Sequence, residues 1–454
     1  MPGPMPSNMK EISAHWIRRD LRLEDNRALS AAAEAGLPVF CVFIFDRKIL
    51  SKLDNPGDAR VGFIHRELTK IKRQLIEFGG DLWVEHGTPA EAWTRIESAL
   101  NSRGLRLRTV TVGRDYEPYA QERDRSMLTW FSEKGIDFSG VKDHVIFEKS
   151  EVVKGDGLPY TVFTPYSRKW RSELTDAHVA TSPSLEMIQS GALLSFHELS
   201  APSIPSLQSM GFEAEIADPI PGPNIQPATL KNYGTQRDYP ALDGTTRLSV
   251  HLRFGTISIR SALRQGLAHS EKWTTELIWR DFYQMILYHF PHAAQNSFRP
   301  AYDQIPWLND EEHFQAWCEG RTGYPLVDAG MRELMATGFM HNRVRMVVAS
   351  FLCKHLLIDW RWGERFFARH LLDFDLASNS GGWQWAAGSG CDAAPYFRVF
   401  NPTAQLEKFD KQMTYVKHWV PEWNTSAYPE PIVDHAKARV RAIETYQSVL
   451  KPKA

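Results

Sequence analysis

The sequence predicts an α/β N-terminal domain built on a doubly wound, mostly parallel sheet, and an all-α C-terminal domain, the two joined by a long wrapping connector. Three observations predict it. Short apolar runs alternate with amphipathic helical segments over 12–139, Pro and Gly interrupt every longer period over 140–228, and from 229 to 454 apolar residues recur at helical spacing. A length of 454 residues exceeds one ordinary core, while 43% hydrophobic and 24% charged residues exclude a disordered chain, a collagen-like chain or a coiled-coil rod. The Pro-rich start, 1–11, reads as a disordered tail.

In the first domain the candidate strands are 13–17, 38–45, 81–84 and 108–112. Between them Ile64, Leu68, Ile71, Leu75 and Phe78 repeat at helical spacing, with Asp58 as the cap and Gly79 as the stop. Ligands of such sheets sit beyond the strand carboxyl ends, but no GxGxxG follows the first strand and no GxxxxGK[ST] occurs anywhere. A dinucleotide or triphosphate bound in the standard manner is therefore disfavoured. Gly155, Gly157, Pro159, Pro165, Pro183, Pro202 and Pro205 break up the connector. Helical stretches follow around Leu263 and Leu267 and over 275–288, 326–337, 343–359 and 365–372.

Charge excludes some functions. With 53 Lys and Arg against 54 Asp and Glu, no global field draws the chain to polyanions, although residues 231–454 carry 26 basic and 23 acidic side chains and permit a local basic groove. Cys41, Cys318, Cys353 and Cys391, none in CxxC spacing, suit buried free thiols in a reducing compartment. Neither an apolar leader nor a run of about 18 apolar residues is present, so the expectation is a cytoplasmic monomer without a membrane partner. No HExxH or EF-hand spacing argues for a metal, and no GxSxG argues for a serine hydrolase.

Three stretches carry chemistry. Asp243-Gly-Thr-Thr-Arg-Leu-Ser249 groups hydroxyls and an Arg where a loop opens a helix, an arrangement that offers donors to phosphate and reads equally as a plain helix start. Trp273, Glu276, Trp279 and Arg280 share one broad helix face, which suits either an ion pair beside packing indoles or a cavity that stacks on a planar group and bonds its polar edge. Met340-His-Asn-Arg-Val-Arg-Met346, Asp373, Asp375 and Asn379 would make a buried polar network that must be fully paired to be tolerated. The composition is also rich in indole: eight of 15 Trp lie within 273–385.

At these residues the sequence resembles a known family. Gly381-Gly-Trp-Gln-Trp-Ala-Ala387, Asp392-Ala-Ala-Pro-Tyr-Phe-Arg-Val-Phe-Asn-Pro402, Met340-His-Asn-Arg343, Glu276-Leu-Ile-Trp-Arg280 and Trp16-Ile-Arg-Arg-Asp-Leu-Arg-Leu23 resemble the photolyase and cryptochrome family, most nearly its class I cyclobutane pyrimidine dimer photolyases. The likeness runs over about 12–415. It implies that the C-terminal domain binds FAD, active as the reduced anion, and that blue light drives one electron from it to a flipped-out dimer in UV-damaged DNA. Flavin contacts fall by resemblance on Tyr233, Thr245, Thr246, Arg247, Leu248, Ser249, Trp273, Asn342, Arg345, Asp373, Asp375 and Asn379. Glu276, Trp279, Asn342, Met346 and Trp385 fall on lesion contacts, and Arg237, Arg280, Arg343 and Arg398 on the DNA strand. Trp307, Trp360 and Trp383 match the family's indole wire to the flavin. The alternatives are a cryptochrome-type photoreceptor, which Asn379, Glu276 and Trp279 disfavour, and repair of (6-4) photoproducts, for which 340–343 lacks a His-His pair. The chain departs from the family at Ser380 and Cys391. It also carries Tyr119-Ala120 where folate-binding members carry Asn-Glu, which disfavours a folate antenna and leaves a deazaflavin, a second flavin or none.

Overall fold

The computed structural model describes residues 9–213 and 220–450, so most of the expected tail 1–11 lies outside the described residues, and its end is strand: β1 is Lys10–Ile17. The chain forms two compact units, one drawn from Met1–Glu148, Leu174–Pro223 and Leu248–Arg264, the other from Lys149–Glu173, Asn224–Arg247 and Gln265–Ala454. This corrects two expected boundaries. The stretch 140–228 is no independent connector. Its helix Phe163–Glu173 buries Phe163, Tyr166 and Trp170 and belongs to the helical unit, whereas Leu194 and Leu199 join the core of the sheet unit. Likewise 248–264 counts with the sheet unit, because Arg260 is buried there against Asp25 and Asp143.

In the sheet unit β1, β2 (Val39–Asp46), β3 (Leu82–Gly87), β4 (Leu105–Gly113) and β5 (Asp137–Val141) form one parallel sheet in the order β3-β2-β1-β4-β5. β5 adds to the four strands expected from the sequence. The run Val-Phe-Cys-Val-Phe-Ile-Phe-Asp of β2 is buried at every position, as a strand covered on both faces must be. Helices start where the side chains dictate: Asp58 accepts from the Arg60 N–H ahead of Ala59–Glu77, and Thr88 with Glu91 makes a capping box ahead of Pro89–Ser102.

The strand order reverses between β1 and β4, and the carboxyl ends of these two strands would be the usual place for a ligand. Here they are filled by the protein's own charges. Arg18 reaches Asp124 and the Gly113 carbonyl, Arg19 pairs with Asp115 and Glu117, Arg22 with Asp143 at 2.6 Å, and Arg260 with both Asp25 and Asp143 at 2.9 Å. Burial alone would raise the Asp143 pKa, but Arg22 and Arg260 outweigh it and hold the carboxyl below its ordinary value. The charged face of 16–23 is thus structural, and Gly255 lets it close: with φ +69°, a Cβ there would lie 1.9 Å from the Arg19 carbonyl oxygen.

The helical unit is centred on Trp317, Met331, Val344, Val348, Phe351, Leu352, Trp360 and Trp383. The helical run expected over 343–359 divides into Asn342–Ser350 and a π-helical turn, Phe351–His355, whose wider turn buries Lys354. The Lys354 Nζ donates to the Ala387 and Tyr396 carbonyls at 2.9 and 3.2 Å and lies 3.6 Å from the centre of the Tyr446 ring. All four cysteines are free and buried. Among the described residues no helix is long and apolar enough to cross a membrane, and no group of three metal-capable side chains occurs.

Burial pulls the Lys354 pKa from 10.5 down to about 7. The unfolded chain therefore holds a proton here that the folded chain releases, and this residue's contribution to stability rises with pH between about 7 and 10.5. Lys354→Met should flatten that rise in urea midpoints measured across the same window; an unaltered slope would place the titration elsewhere.

Candidate active site

Two helices carry most of the site. Glu271–His289 starts at Ser270, whose hydroxyl accepts from the Trp273 N–H, and it buries Trp273, Leu277, Phe282 and Met285 while Glu276, Trp279 and Arg280 remain half-buried. Leu376–Ala387 starts at Asp375, which accepts from the Ser378 N–H, and stops at Gly388 in the left-handed region. Gln284 of the first helix donates its amide to both oxygens of Asp375 at 3.1 Å. Six residues on from Asp375, Gly381 makes close approach feasible, since a Cβ there would lie 2.3 Å from the Tyr283 ring.

Of the polar network expected around Asp373, the Arg345 pair forms, whereas Arg343 turns to Asp238, Asp375 to Gln284 and Asn379 to Glu364, and Asn342 is exposed. Arg345 donates from Nη2 to both Asp373 oxygens at 2.9 and 3.1 Å and from Nε to the Met340 carbonyl at 2.7 Å. Asn379 donates from Nδ2 to the Glu364 carboxylate at 2.9 Å and to its backbone carbonyl at 3.2 Å, which fixes the amide and directs its own carbonyl oxygen away from them. Burial pushes the Glu364 pKa up, and the Asn379 bond only partly offsets it.

Around the half-buried face, Arg237 ion-pairs with Glu276 and lies 5.3 Å from the Tyr233 ring. Arg343 pairs with Asp238 at 2.8 Å, stacks over Phe409 at 4.4 Å and touches the Met346 sulfur at 3.9 Å. Asn342 is exposed at the start of its helix, behind His341. Burial pulls His341 down to about 4, so its neutral Nδ1 accepts from the Arg343 N–H. Trp385 is half-buried beside Phe400, and Arg398 is exposed with its guanidinium 5.5 Å from the same ring.

The hydroxyl-rich stretch divides. Thr246 accepts from the Trp273 indole N–H at 3.3 Å in the helical unit, and Thr245 lies next to it. Arg247 is exposed, left-handed at φ +49°, and 5.4 Å from the Phe339 ring. Leu248 and Ser249 fall in the sheet unit, where Ser249 opens the short helix Ser249–Phe254.

Trp360 and Trp383 are buried with no hydrogen-bond partner on either indole nitrogen, and Trp307 is half-buried with its edge toward Tyr446 at 5.9 Å. Gly363, one turn beyond Trp360, is in contact with the Trp383 ring: a Cβ there would lie 2.1 Å from it. The Leu308 N–H donates to the Leu357 carbonyl at 2.8 Å, tying the Trp307 segment to the turn that precedes Trp360. Sequence reasoning missed Gln284, Gly363 and Glu364. No local pattern marks them, because each acts through a partner at least 15 positions away.

Residues 13–185 match the family model described as DNA photolyase, and residues 273–427 the model described as the FAD binding domain of DNA photolyase. The deoxyribodipyrimidine photo-lyase of Synechococcus sp. is 37% identical over 92% of this chain and 93% of its own, and that of Escherichia coli 35% identical over 96% and 99%. Among solved structures, a bacterial class III photolyase from Agrobacterium tumefaciens has a TM-score of 0.83 at 33% identity, covering 99% of both chains. An archaeal photolyase from Sulfolobus tokodaii with two FAD molecules has a TM-score of 0.78 at 33% identity, covering 97% of this chain and 100% of that one. The chain belongs to the DNA photolyase family, and its helical unit contains the family's FAD-binding domain.

The residues present fit such a flavin. Arg345 and Asp373 offer a donor and an acceptor side by side, the Asn379 carbonyl oxygen is free of the Glu364 contact, and Thr245, Thr246 and Arg247 supply donors for a diphosphate. The close fit of Gly363 is directly testable. Gly363→Ala should cost about 1–3 kcal/mol by overpacking the Trp383 ring, read as a lowered urea midpoint. Parent-like stability would mean that the indole has room to retreat.

Proposed function

We propose that this chain repairs DNA in the light, splitting cyclobutane pyrimidine dimers into two pyrimidines at the face formed by Glu276 and Trp279. The observation that carries the reading is a half-buried indole beside a carboxylate that an arginine holds in place. Trp279 offers a stacking surface, Glu276 an acceptor for a pyrimidine's polar edge, and Arg237 keeps that carboxylate oriented. Asn342, Met346 and Trp385 would complete the lesion contacts, and Arg280, Arg343 and Arg398, with Arg237, would hold backbone phosphates.

When bound, reduced FAD supplies one electron to the dimer on absorbing blue light and recovers it after the ring opens. The chain's part is to hold the reactants still. Tyr233, Thr245, Thr246, Arg247, Trp273, Asn342, Arg345, Asp373, Asp375 and Asn379 would bind the cofactor, with Asn379 oriented by Glu364 as a neutral amide that delivers no proton. Trp383, Trp360 and Trp307 would carry electrons inward to an oxidised cofactor, a role consistent with buried indoles whose N–H groups have no structural partner. For a second, light-gathering chromophore, the carboxyl end of β2 has Tyr119 donating to Asp46 at 2.5 Å with Lys52 over its ring at 5.5 Å. The Tyr119-Ala120 pair disfavours a folate, which leaves a deazaflavin, a second flavin or no antenna.

The deciding experiment gives chemically reduced, FAD-loaded protein two oligonucleotides, one with a thymine cyclobutane dimer and one with a (6-4) photoproduct, in blue light and in darkness. Light-dependent restoration of the first alone is expected; restoration of neither, with photoreducible flavin bound, would move the assignment to a photoreceptor. Trp383→Phe should abolish photoreduction of oxidised FAD and spare repair by reduced enzyme, and equal loss of both would remove the wire assignment. Glu276→Ala should reduce the repair yield about 10-fold or more at unchanged FAD content, in line with the loss of one positioned charge contact; a flavin-free product would make Glu276 structural.

A further inference from the structure

The geometry points to Phe163 as a positioning residue for the lesion: its ring fixes the face that Trp279 presents, and Asp392 ties it to the segment carrying Arg398. This rests on Trp279 being a lesion contact. The ring centres of Phe163 and Trp279 lie 3.6 Å apart with planes 3° from parallel, so one face of the indole is covered. Aromatic pairs left to themselves prefer offset or edge-on arrangements at larger separations, so a full-face stack needs outside support. Phe282 supplies it, standing edge-on to both rings at 5.8 and 5.7 Å.

Phe163 is itself held firmly. It opens the helix Phe163–Glu173, which is fastened to Glu271–His289 through Trp170 Nε1 donating to Asp281 at 3.1 Å and Arg171 donating to the Thr275 hydroxyl at 3.0 Å. Its backbone N–H donates to the Asp392 carboxylate at 3.0 Å. Asp392 makes that bond from a left-handed conformation, φ +46°, which is costly for a residue with a Cβ and persists where its surroundings fix it. Six residues on is Arg398, whose N–H closes a turn on the Pro395 carbonyl at 2.8 Å. An indole backed on one side by a fixed ring loses little further freedom when a pyrimidine stacks on the other. Phe163 thus backs the half-buried Trp279 indole as a rigid platform.

The test uses the full-length, FAD-loaded protein. Phe163→Leu should weaken binding of a dimer-containing oligonucleotide about tenfold, while affinity for undamaged DNA stays within about twofold, because stacking is lost and phosphate contacts are kept. The loss should appear in KM rather than kcat, with FAD content and photoreduction intact, and Phe163→Tyr should restore affinity. Asp392→Ala, which frees the backbone but keeps the ring, should give a smaller loss of the same kind. Full lesion affinity in Phe163→Leu alongside a loss in Trp279→Leu would overturn the positioning role alone. Unchanged affinity in Trp279→Leu would overturn the platform reading and this inference together, and loss of FAD from both Phe163→Leu and Asp392→Ala would make the contact structural.

Discussion

The acceptance of two hydrogen bonds from Gln284 by the Asp375 carboxylate fixes the registry of the helices on which the site depends. The same carboxylate begins Leu376–Ala387 by accepting from the Ser378 N–H, so one side chain sets both where that helix starts and how it lies against Glu271–His289. Gly381 then allows the backbones to approach at the Tyr283 ring. Every candidate site residue on the two helices inherits this registry: Glu276 and Trp279 on one, Asn379, Trp383 and Trp385 on the other. Removing Asp375 would leave the buried Gln284 amide without its carboxylate, a loss of about 1–3 kcal/mol for a buried group.

The two units use buried charge differently. In the sheet unit, arginines of 18–22 and Arg260 are matched to carboxylates, and these salt bridges occupy the carboxyl ends of β1 and β4. In the helical unit the polar groups around Asp373 and Asn379 are arranged to leave something over. Arg345 and Asp373 satisfy each other while keeping polar edges in reserve, and Asn379 gives its amide to Glu364 and retains its carbonyl. Paired charges hold one conformation, whereas polar edges kept in reserve are prepared for a guest.

Much of this was legible locally. Four strands announced themselves as apolar runs, and Asp58 and Gly79 bounded their helix as their types require. β5 escaped because Asp-Phe-Ser-Gly-Val at a sheet edge is only partly buried and has no apolar run to read. The wrapping stretch was misjudged because its Pro and Gly content hid Tyr166 and Trp170, which pack into the helical unit. At the site, residues in contiguous motifs such as Glu276, Trp279, Asn342 and Asn379 stood out. Their supports did not: Gln284, Gly363 and Glu364 look like an ordinary polar residue, a helix glycine and a surface acid until the fold brings their distant partners to them.

The buried thiols have a further use. Cys41 lies in the fully buried strand β2, and Cys318, Cys353 and Cys391 lie in the helical unit. Burial pushes every one of them up in pKa, so in the folded state they are shielded from alkylating reagents both sterically and by protonation. A pulse of alkylation followed by peptide mass analysis would therefore count openings of each unit separately, with no engineered tag or substitution. The chain carries its own two-channel clock for local unfolding.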